Sequence, residues 1–343
     1  MKHTFKITLI LISMFIITQI IGLLVVGSYG LQGTCKFYNQ TTGQYETRAE
    51  KIEMPEGLQA PELKTQVDFF SMLPMIIISF IIAIFLFFIL SKIKINYILR
   101  YWFFIVVILG IWITINSLIH YILLYNDICN SPINLFLSSV PISGLIAFAI
   151  AVPLAILKVF KRNIIVHNIT ELLIYPGIAA VFVAILNVWT IIILLIIISI
   201  YDIWAVWHSG IMQKLAKFQM NELKVFGGFY VPYASKKERE QIRLIREKYK
   251  NHKISEKQLK SKNIKISLAI LGGGDIVFPI ITAGVFLKTL GIWPAIFVVI
   301  GASIALFLLF LFSQKKKFYP AMPFLSAGIF LGMLAGWLYT MII

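Results

Sequence analysis

Two aspartates lie within long apolar stretches of this 343-residue chain: Asp202 in "ISIYDIWAVW" and Asp275 in "ILGGGDIVFP". The other thirteen of the fifteen acidic residues fall in polar segments or at the ends of apolar runs. A carboxylate at the centre of a bilayer costs about 2.5 to 3.5 kcal/mol on insertion scales, so retained acids indicate a function. Two facing carboxyl groups in an apolar site cannot both ionise easily. One then takes a proton from water while the other protonates a carbonyl oxygen, as in aspartic proteases.

Three glycines, Gly272, Gly273 and Gly274, directly precede Asp275. A glycine in a helix interior costs about 1 kcal/mol relative to alanine, so three together weaken the local helix. Because they have no side chains, they also allow another backbone to approach closely. We expect an extended peptide substrate to lie beside this backbone and to use its hydrogen-bonding groups. A helical substrate must unwind first, because its own carbonyl groups are already bonded.

The composition indicates that this chemistry takes place in a membrane. Hydrophobic residues make up 59% of the chain and charged residues 13%, and the mean hydropathy is +0.88, unlike a soluble domain. Nine apolar stretches have about the 20 residues that a helix needs to cross a bilayer. They lie near 7–27, 70–91, 101–125, 134–157, 168–186, 188–208, 264–287, 291–313 and 322–343. The predicted fold is an all-α polytopic membrane protein with nine transmembrane helices.

The basic residues predict how these spans are oriented. All but five of the 31 lysines and arginines fall on one side of the nine-span topology, and fifteen of them lie between Lys214 and Lys265. The positive-inside rule therefore places the amino terminus in the cytoplasm and the carboxyl terminus outside. We expect a single domain over 1–343: six spans in 1–208, a basic cytoplasmic loop at 209–263, and three spans in 264–343.

The basic loop is also a candidate site for partners. It lacks a basic face with stacking aromatic residues, so we expect it to lie near lipid headgroups and to bind no nucleic acid. Within it, the apolar segment "VFGGFYVPYA" at 225–234 either lies at the membrane interface or docks near the aspartates. In the second case it would resemble a substrate and be cut by the protein itself.

The two cysteines, Cys35 and Cys129, both fall on the outer side of this topology. They are a candidate disulfide, with two free thiols as the alternative, because spacing alone does not bring them together. Asn39 begins an Asn-Gln-Thr sequon and is a candidate glycosylation site on the same side. No Cys/His cluster has metal-ligand spacing, so we expect no metal and no cofactor beyond the catalytic water.

Two polar residues lie near the start of the fifth span. We expect His167 to make a hydrogen-bonded helix contact rather than to bind metal or relay protons. Glu171 is expected at the beginning of the helix, where a negative charge suits the helix dipole.

Three short motifs follow one another along the chain: Tyr201-Asp202, Gly272-Gly273-Gly274-Asp275 and Pro320-Ala321-Met322-Pro323. They resemble the YD, GxGD and PAL signatures of the presenilin and signal peptide peptidase family, and the archaeal presenilin homologues most closely. The nine spans and the long loop between the aspartates resemble that family as well. Met322 stands where the family usually has leucine, and its similar volume preserves an apolar contact.

The resemblance implies a role for each motif. It implies that Asp202 and Asp275 are catalytic and that Tyr201 packs or hydrogen-bonds beside them. Substrate-binding or supporting roles are implied for the three glycines and for Pro320, Ala321, Met322 and Pro323.

The predicted function is therefore hydrolysis of peptide bonds within transmembrane segments by a multi-pass aspartyl endopeptidase of the cell membrane. Its partners would be transmembrane substrates and the lipid bilayer. The basic loop favours the presenilin orientation. Pro279, a proline just after the GxGD motif, instead resembles a feature of signal peptide peptidases. One alternative is a proton- or cation-coupled transporter or channel that uses the buried aspartates, and another is an inactive membrane scaffold. The transporter alternative does not account for the three motifs together, whereas a sequence does not show turnover and so does not distinguish an inactive homologue from an active enzyme. No motif specifies an oligomeric state.

Overall fold

The computed structural model describes residues 5–39, 43–54, scattered positions within 71–89, and residues 96–135, 138–161, 163–208, 226–233, 267–313 and 319–342. The described part contains eight helices that are long and apolar enough to cross a bilayer. They are α1 (Phe5–Ser28), α2 (Asn96–Tyr125), α3 (Ile142–Lys161), α4 (Ile164–Ile185), α5 (Val188–Trp207), α6 (Gly273–Leu290), α7 (Ile292–Phe312) and α8 (Met322–Ile342). Of the predicted span at 70–91, the described positions are scattered between Ser71 and Ile89 and are all helical, and the others lie outside the described residues.

The break between the fifth and sixth predicted spans is confirmed, and Asn187 causes it. Its side-chain oxygen accepts the Thr190 N–H at 2.8 Å, while the Thr190 hydroxyl accepts the Asn187 N–H at 2.9 Å. This reciprocal arrangement is a capping box, which satisfies backbone donors that a helix start leaves free. Helix α5, which carries Asp202, therefore begins at Val188.

The chain is mostly helical, but the all-α prediction missed three two-stranded antiparallel sheets. They pair β1 (Gln32–Asn39) with β2 (Gln44–Lys51), β3 (Pro132–Leu135) with β4 (Ser138–Pro141), and β5 (Gly228–Tyr233) with β6 (Ser267–Gly272). As a result, the fourth span begins at residue 142 rather than 134, and the seventh at 273 rather than 264. Short apolar runs fit a strand as well as a helix, so hydropathy does not distinguish the two.

A disulfide fastens the first hairpin to the end of α2. It joins Cys35 of β1 to Cys129, whose Cα atoms are 4.9 Å apart. Beside it, the Glu50 carboxylate of β2 lies 2.8 Å from His120 Nε2 and accepts the Asn130 N–H at 3.1 Å. Asn39 is the last residue of β1, and its glycosylation stays a prediction.

The helices that carry the motifs are held by close packing. Gln19 of α1 is fully buried and donates from Nε2 to the Ile276 carbonyl of α6 at 3.1 Å. Helices α7 and α8 approach through glycines: a Cβ at Gly328 would lie 2.5 Å from the Gly301 carbonyl oxygen. Small residues at such contacts let membrane helices pack backbone to backbone. The starts of α6 and α8 are therefore placed by contacts along the whole bundle.

Candidate active site

Asp202 is buried near the end of α5 and contacts the third motif. Its Oδ2 accepts the Met322 N–H at 3.0 Å, and Met322 is the first residue of α8. The amino-terminal end of a helix presents free N–H groups and a positive dipole end, both of which favour a carboxylate. Pro320 and Met322 are buried, and Ala321 is partly buried. The YD and PAL-like motifs, 120 residues apart, thus meet at one carboxylate.

Asp275 is the third residue of α6, and the negative charge of Asp202 acts on its carboxyl group. Its Oδ2 lies 3.2 Å from the point where a Cβ on Gly272 would stand. The predicted span at 264–287 would place Asp275 about eleven residues into a helix, and this was wrong because residues 267–272 form a strand and the helix begins at Gly273. The two aspartates lie where α5 ends and α6 begins, so the structure brings all three motifs together.

The three glycines differ in their surroundings. A Cβ at Gly273 would lie 2.8 Å from the Tyr175 hydroxyl, so only glycine fits there without movement. At exposed Gly274 the nearest atom to a Cβ would be 3.8 Å away, on Phe278. Packing against Tyr175 therefore explains why residue 273 is a glycine, whereas Gly274 has free space beside it. Tyr175, which the sequence analysis missed, is a buried residue of α4 in an ordinary apolar span.

Tyr201 is partly buried on α5, next to Asp202. Its ring centroid lies 6.4 Å from that of Trp204, one turn further along the helix. Pro323, in the first turn of α8, is also partly buried.

The apolar loop segment forms strand β5 beside the glycines. Gly228 pairs with Gly272, Tyr230 with Ile270, and the Gly273 N–H donates to the Gly227 carbonyl at 3.3 Å. Of the two alternatives for this segment, the pairing of its described residues with β6 supports a position near the GxGD motif. Cleavage of the segment by the protein itself stays a prediction.

The outer edge of β5 faces α4. Asn168 donates to the Tyr230 carbonyl at 3.0 Å and accepts the Tyr230 N–H at 3.3 Å, while His167 Nε2 lies 2.9 Å from the Gly228 carbonyl. In an antiparallel pair of strands, residues that lie opposite each other behave alike: if the backbone N–H and C=O of one residue point away from the partner strand, those of the opposite residue also point away from it. Ile270 and Gly272 therefore direct their backbone groups to the opposite edge of β6, the free edge, which pairs with no other strand among the described residues. At this edge the Gly272 N–H bonds to the Asp275 carboxyl group.

A buried charged cluster lies beneath this contact. Lys158 of α3 forms an ion pair with Glu171 of α4, and both side chains are at most 2% exposed. His167 Nε2 is 3.5 Å from a Glu171 oxygen. Burial and the charge of Glu171 raise the pKa of Tyr230. Glu171 is the eighth residue of α4, so the expected interaction with the helix start was wrong: α4 begins at Ile164.

One group in the described part of the chain has metal-like spacing, namely Cys35, Glu50 and Cys129. The two sulfur atoms are bonded to each other, so neither offers a thiolate ligand in this state.

A bundle of apolar helices that places one aspartate near the end of α5 and another at the start of α6 is the arrangement expected of an aspartyl protease that works within a membrane. The sequence profile of the family described as "signal-peptide peptidase, presenilin aspartyl protease" matches residues 52–342, and the chain belongs to this family. It is therefore a presenilin-like intramembrane aspartyl protease and an integral, multi-pass membrane protein.

Two solved structures, both described as a presenilin family intramembrane aspartate protease, have the same overall fold. One, in space group C222, has 14% identity and a TM-score of 0.54, and the match covers 97% of this chain and 99% of that chain. The other, in space group P2, has 17% identity and the same TM-score, and covers 96% of each chain. A comparison with curated proteins found no match.

Proposed function

We propose that Asp202 and Asp275 form the catalytic dyad, which shares one proton and cuts peptide bonds within transmembrane segments. The observation that carries the proposal is that Asp275 lies close enough to Asp202 to experience its charge, while Asp202 itself accepts the Met322 N–H at the start of α8. The ionised carboxylate takes a proton from water as the water oxygen bonds to the substrate carbonyl carbon, and the protonated carboxyl group gives its proton to the carbonyl oxygen. The C–N bond then breaks, and a proton passes to the leaving nitrogen.

The substrate would bind as a strand along the free edge of β6. Ile270 and Gly272 direct backbone groups to that edge, and Gly272 is only three residues from Asp275. An extended peptide that pairs with this edge would bring one of its carbonyl groups near the dyad. The absence of a side chain at Gly274, where a Cβ would meet no atom closer than 3.8 Å, leaves room for the incoming backbone.

The proposal includes the topology predicted from the sequence. The chain would form one domain of nine spans in the cell membrane, with the amino terminus in the cytoplasm and the carboxyl terminus outside. The basic loop at 209–263 would then be cytoplasmic, as in the presenilin orientation. Substrates would be spans whose amino terminus lies outside, and the only small molecule required would be the water that is consumed.

Asparagine substitutions test the dyad, because they keep the side-chain shape and remove the acid. Purified protein in bilayers is given a transmembrane reporter peptide, and the products are identified by mass spectrometry. We expect Asp202→Asn and Asp275→Asn each to abolish cutting. Asp127→Asn is the matched control: Asp127 has a φ of 57°, which asparagine also adopts readily, and cutting should persist.

Cutting that survives in both dyad variants would overturn the proposal. Ion flux through the same vesicles would then test the transporter alternative, which the family assignment does not favour.

A further inference from the structure

The first turns of α4 contact the active-site sheet but take no part in the proposed chemistry. We propose that His167 and Asn168 are positioning residues: they cover the outer edge of β5, leave only the β6 edge for a substrate, and thereby determine which bond is cut. The inference rests on the proposed function and concerns residues that lie outside the three motifs.

Asn168 acts on β5 as a neighbouring strand would. Its amide group donates to the Tyr230 carbonyl and accepts the Tyr230 N–H, which is the same pair of bonds that a paired strand supplies. His167 adds a bond to the Gly228 carbonyl, and because a carbonyl can only accept, Nε2 must carry the proton. Pro232, the next outward-directed residue, has no N–H to offer. The outer edge of β5 is therefore already hydrogen-bonded to α4 at Gly228 and Tyr230.

The buried ion pair holds the imidazole in place. Glu171 lies beside Nε2, Lys158 compensates its charge, and the Tyr230 ring packs against His167 with 4.5 Å between centroids. A buried ion pair carries a large desolvation cost, so it contributes more to defined geometry than to net stability. One helical turn further, the Tyr175 ring meets Phe229 of β5 edge-on at 6.0 Å. The same face of α4 thus contacts β5 over two turns.

An anchored edge has a consequence for the substrate. An isolated two-stranded hairpin is marginally stable, and any unpaired edge accepts another strand. A slip of one residue would turn every side chain to the other face, whereas a slip of two keeps the faces. If β5 were released from α4, substrates would therefore be cut at a mixture of bonds two residues apart.

The decisive variant is Asn168→Leu, which keeps the side-chain shape and removes both bonds to Tyr230. Its matched control is Ile169→Leu, at the adjacent position, where the side chain is 49% exposed. Full-length proteins in bilayers cut the same transmembrane peptide, and mass spectrometry gives the ratio of products. We expect the product displaced by two residues to gain about thirtyfold over the main product in Asn168→Leu, since two bonds of roughly 1 kcal/mol each are lost and about 1.4 kcal/mol corresponds to tenfold. The control should match wild type.

A second pair separates positioning from general stability. His167→Gln keeps an N–H that can reach the Gly228 carbonyl, so it should keep the wild-type product ratio. His167→Phe loses that N–H and should therefore change the ratio. Unchanged product ratios in both Asn168→Leu and His167→Phe would overturn the inference.

Hydrogen exchange gives a test that needs no catalysis. If β5 is anchored by α4, amides in 228–233 should exchange faster in His167→Phe than in Ile169→Leu, while those of α7 stay the same. Equal exchange rates of the 228–233 amides in His167→Phe and Ile169→Leu would overturn the proposed anchoring of β5 by α4. This test does not depend on whether Asn168→Leu folds. If wild type cut no peptide at all, the proposed function would fail, and the exchange result would still decide whether the anchor exists.

Discussion

Replacing Gly273 by alanine tests whether the fit between α4 and the GxGD motif is required. The new Cβ would stand 2.8 Å from the Tyr175 hydroxyl oxygen and 3.0 Å from the ring carbon Cε1. Optimal contacts between carbon atoms are about 3.5 to 4.0 Å, so the ring or the backbone must retreat by roughly 0.5 Å or more. Asp275 is two residues away and would move with the backbone.

The cost follows from this overlap. Overpacking of a buried contact costs about 1 to 3 kcal/mol. Tyr175→Phe removes the nearest atom but leaves Cε1 in place, so it should restore about 1 kcal/mol of that loss. Tyr175→Phe alone should cost no more than about 1 kcal/mol of stability, because its buried hydroxyl makes no hydrogen bond of normal geometry within the described residues, although it lies near enough to interact with the Glu171 carboxyl group.

The assay is a double-mutant cycle with two measurements, equilibrium unfolding in mixed micelles and the initial rate of peptide cleavage. Since a 1 Å misplacement can cost about a hundredfold in rate, we expect Gly273→Ala to lose roughly tenfold or more. The double variant should recover part of both losses. Strictly additive effects of the two substitutions would refute the reasoning, because they would show that residue 273 and the ring do not meet.

Three further predictions concern the ion pair, the disulfide and the last glycine. Lys158→Met should lower the free energy of unfolding by about 3 to 5 kcal/mol, because it leaves the Glu171 charge buried alone; further substitution of Glu171 by Leu should recover most of the loss, and no recovery would contradict this account. Replacing Cys35 and Cys129 by serine opens a loop of sequence separation 94 and should lower stability by up to about 4.7 kcal/mol, measured by thermal unfolding with and without reductant; a changed initial cleavage rate in the folded protein would count against a purely structural bond. Gly274→Ala should leave stability equal or higher but raise KM in the peptide assay, since a methyl group enters the free space; an unchanged KM would mean that the substrate backbone lies elsewhere.

The sequence predicted the parts of the fold that depend on local composition. Hydropathy identified the eight described helices, and Asn187 marked the break between two of them because its cap is formed with Thr190, three residues away. The proximity of the three motifs was predicted from their resemblance to a known family. Their contact itself, Asp202 with Met322, joins residues 120 positions apart.

The parts that were missed depend on distant partners. The run at 267–272 is apolar enough for a membrane helix, and it forms a strand because β5 is available to pair with it. His167 and Asn168 look like ordinary residues at a helix start, and their role depends on backbone groups 61 and 62 positions further along. Glu171 was placed at the helix start because the predicted span began at residue 168, four residues after the observed first residue of α4, Ile164. None of these partners leaves a periodic signal in the sequence.

The free edge of β6 has a thermodynamic consequence for substrate choice. Unpaired backbone groups at membrane depth are tolerated only against protein or water, so the β6 edge at Ile270, which pairs with no other strand in the described part of the chain, would be hydrated in the empty enzyme. A substrate that pairs there exchanges those waters for its own amides, and the net gain per hydrogen bond is only about 0.5 to 1.5 kcal/mol. Breaking the backbone hydrogen bonds of the substrate's own helix costs a comparable free energy per bond. Selection among substrates would therefore depend less on tight recognition than on helix fragility, and spans that contain glycine or β-branched residues near the cut should be favoured.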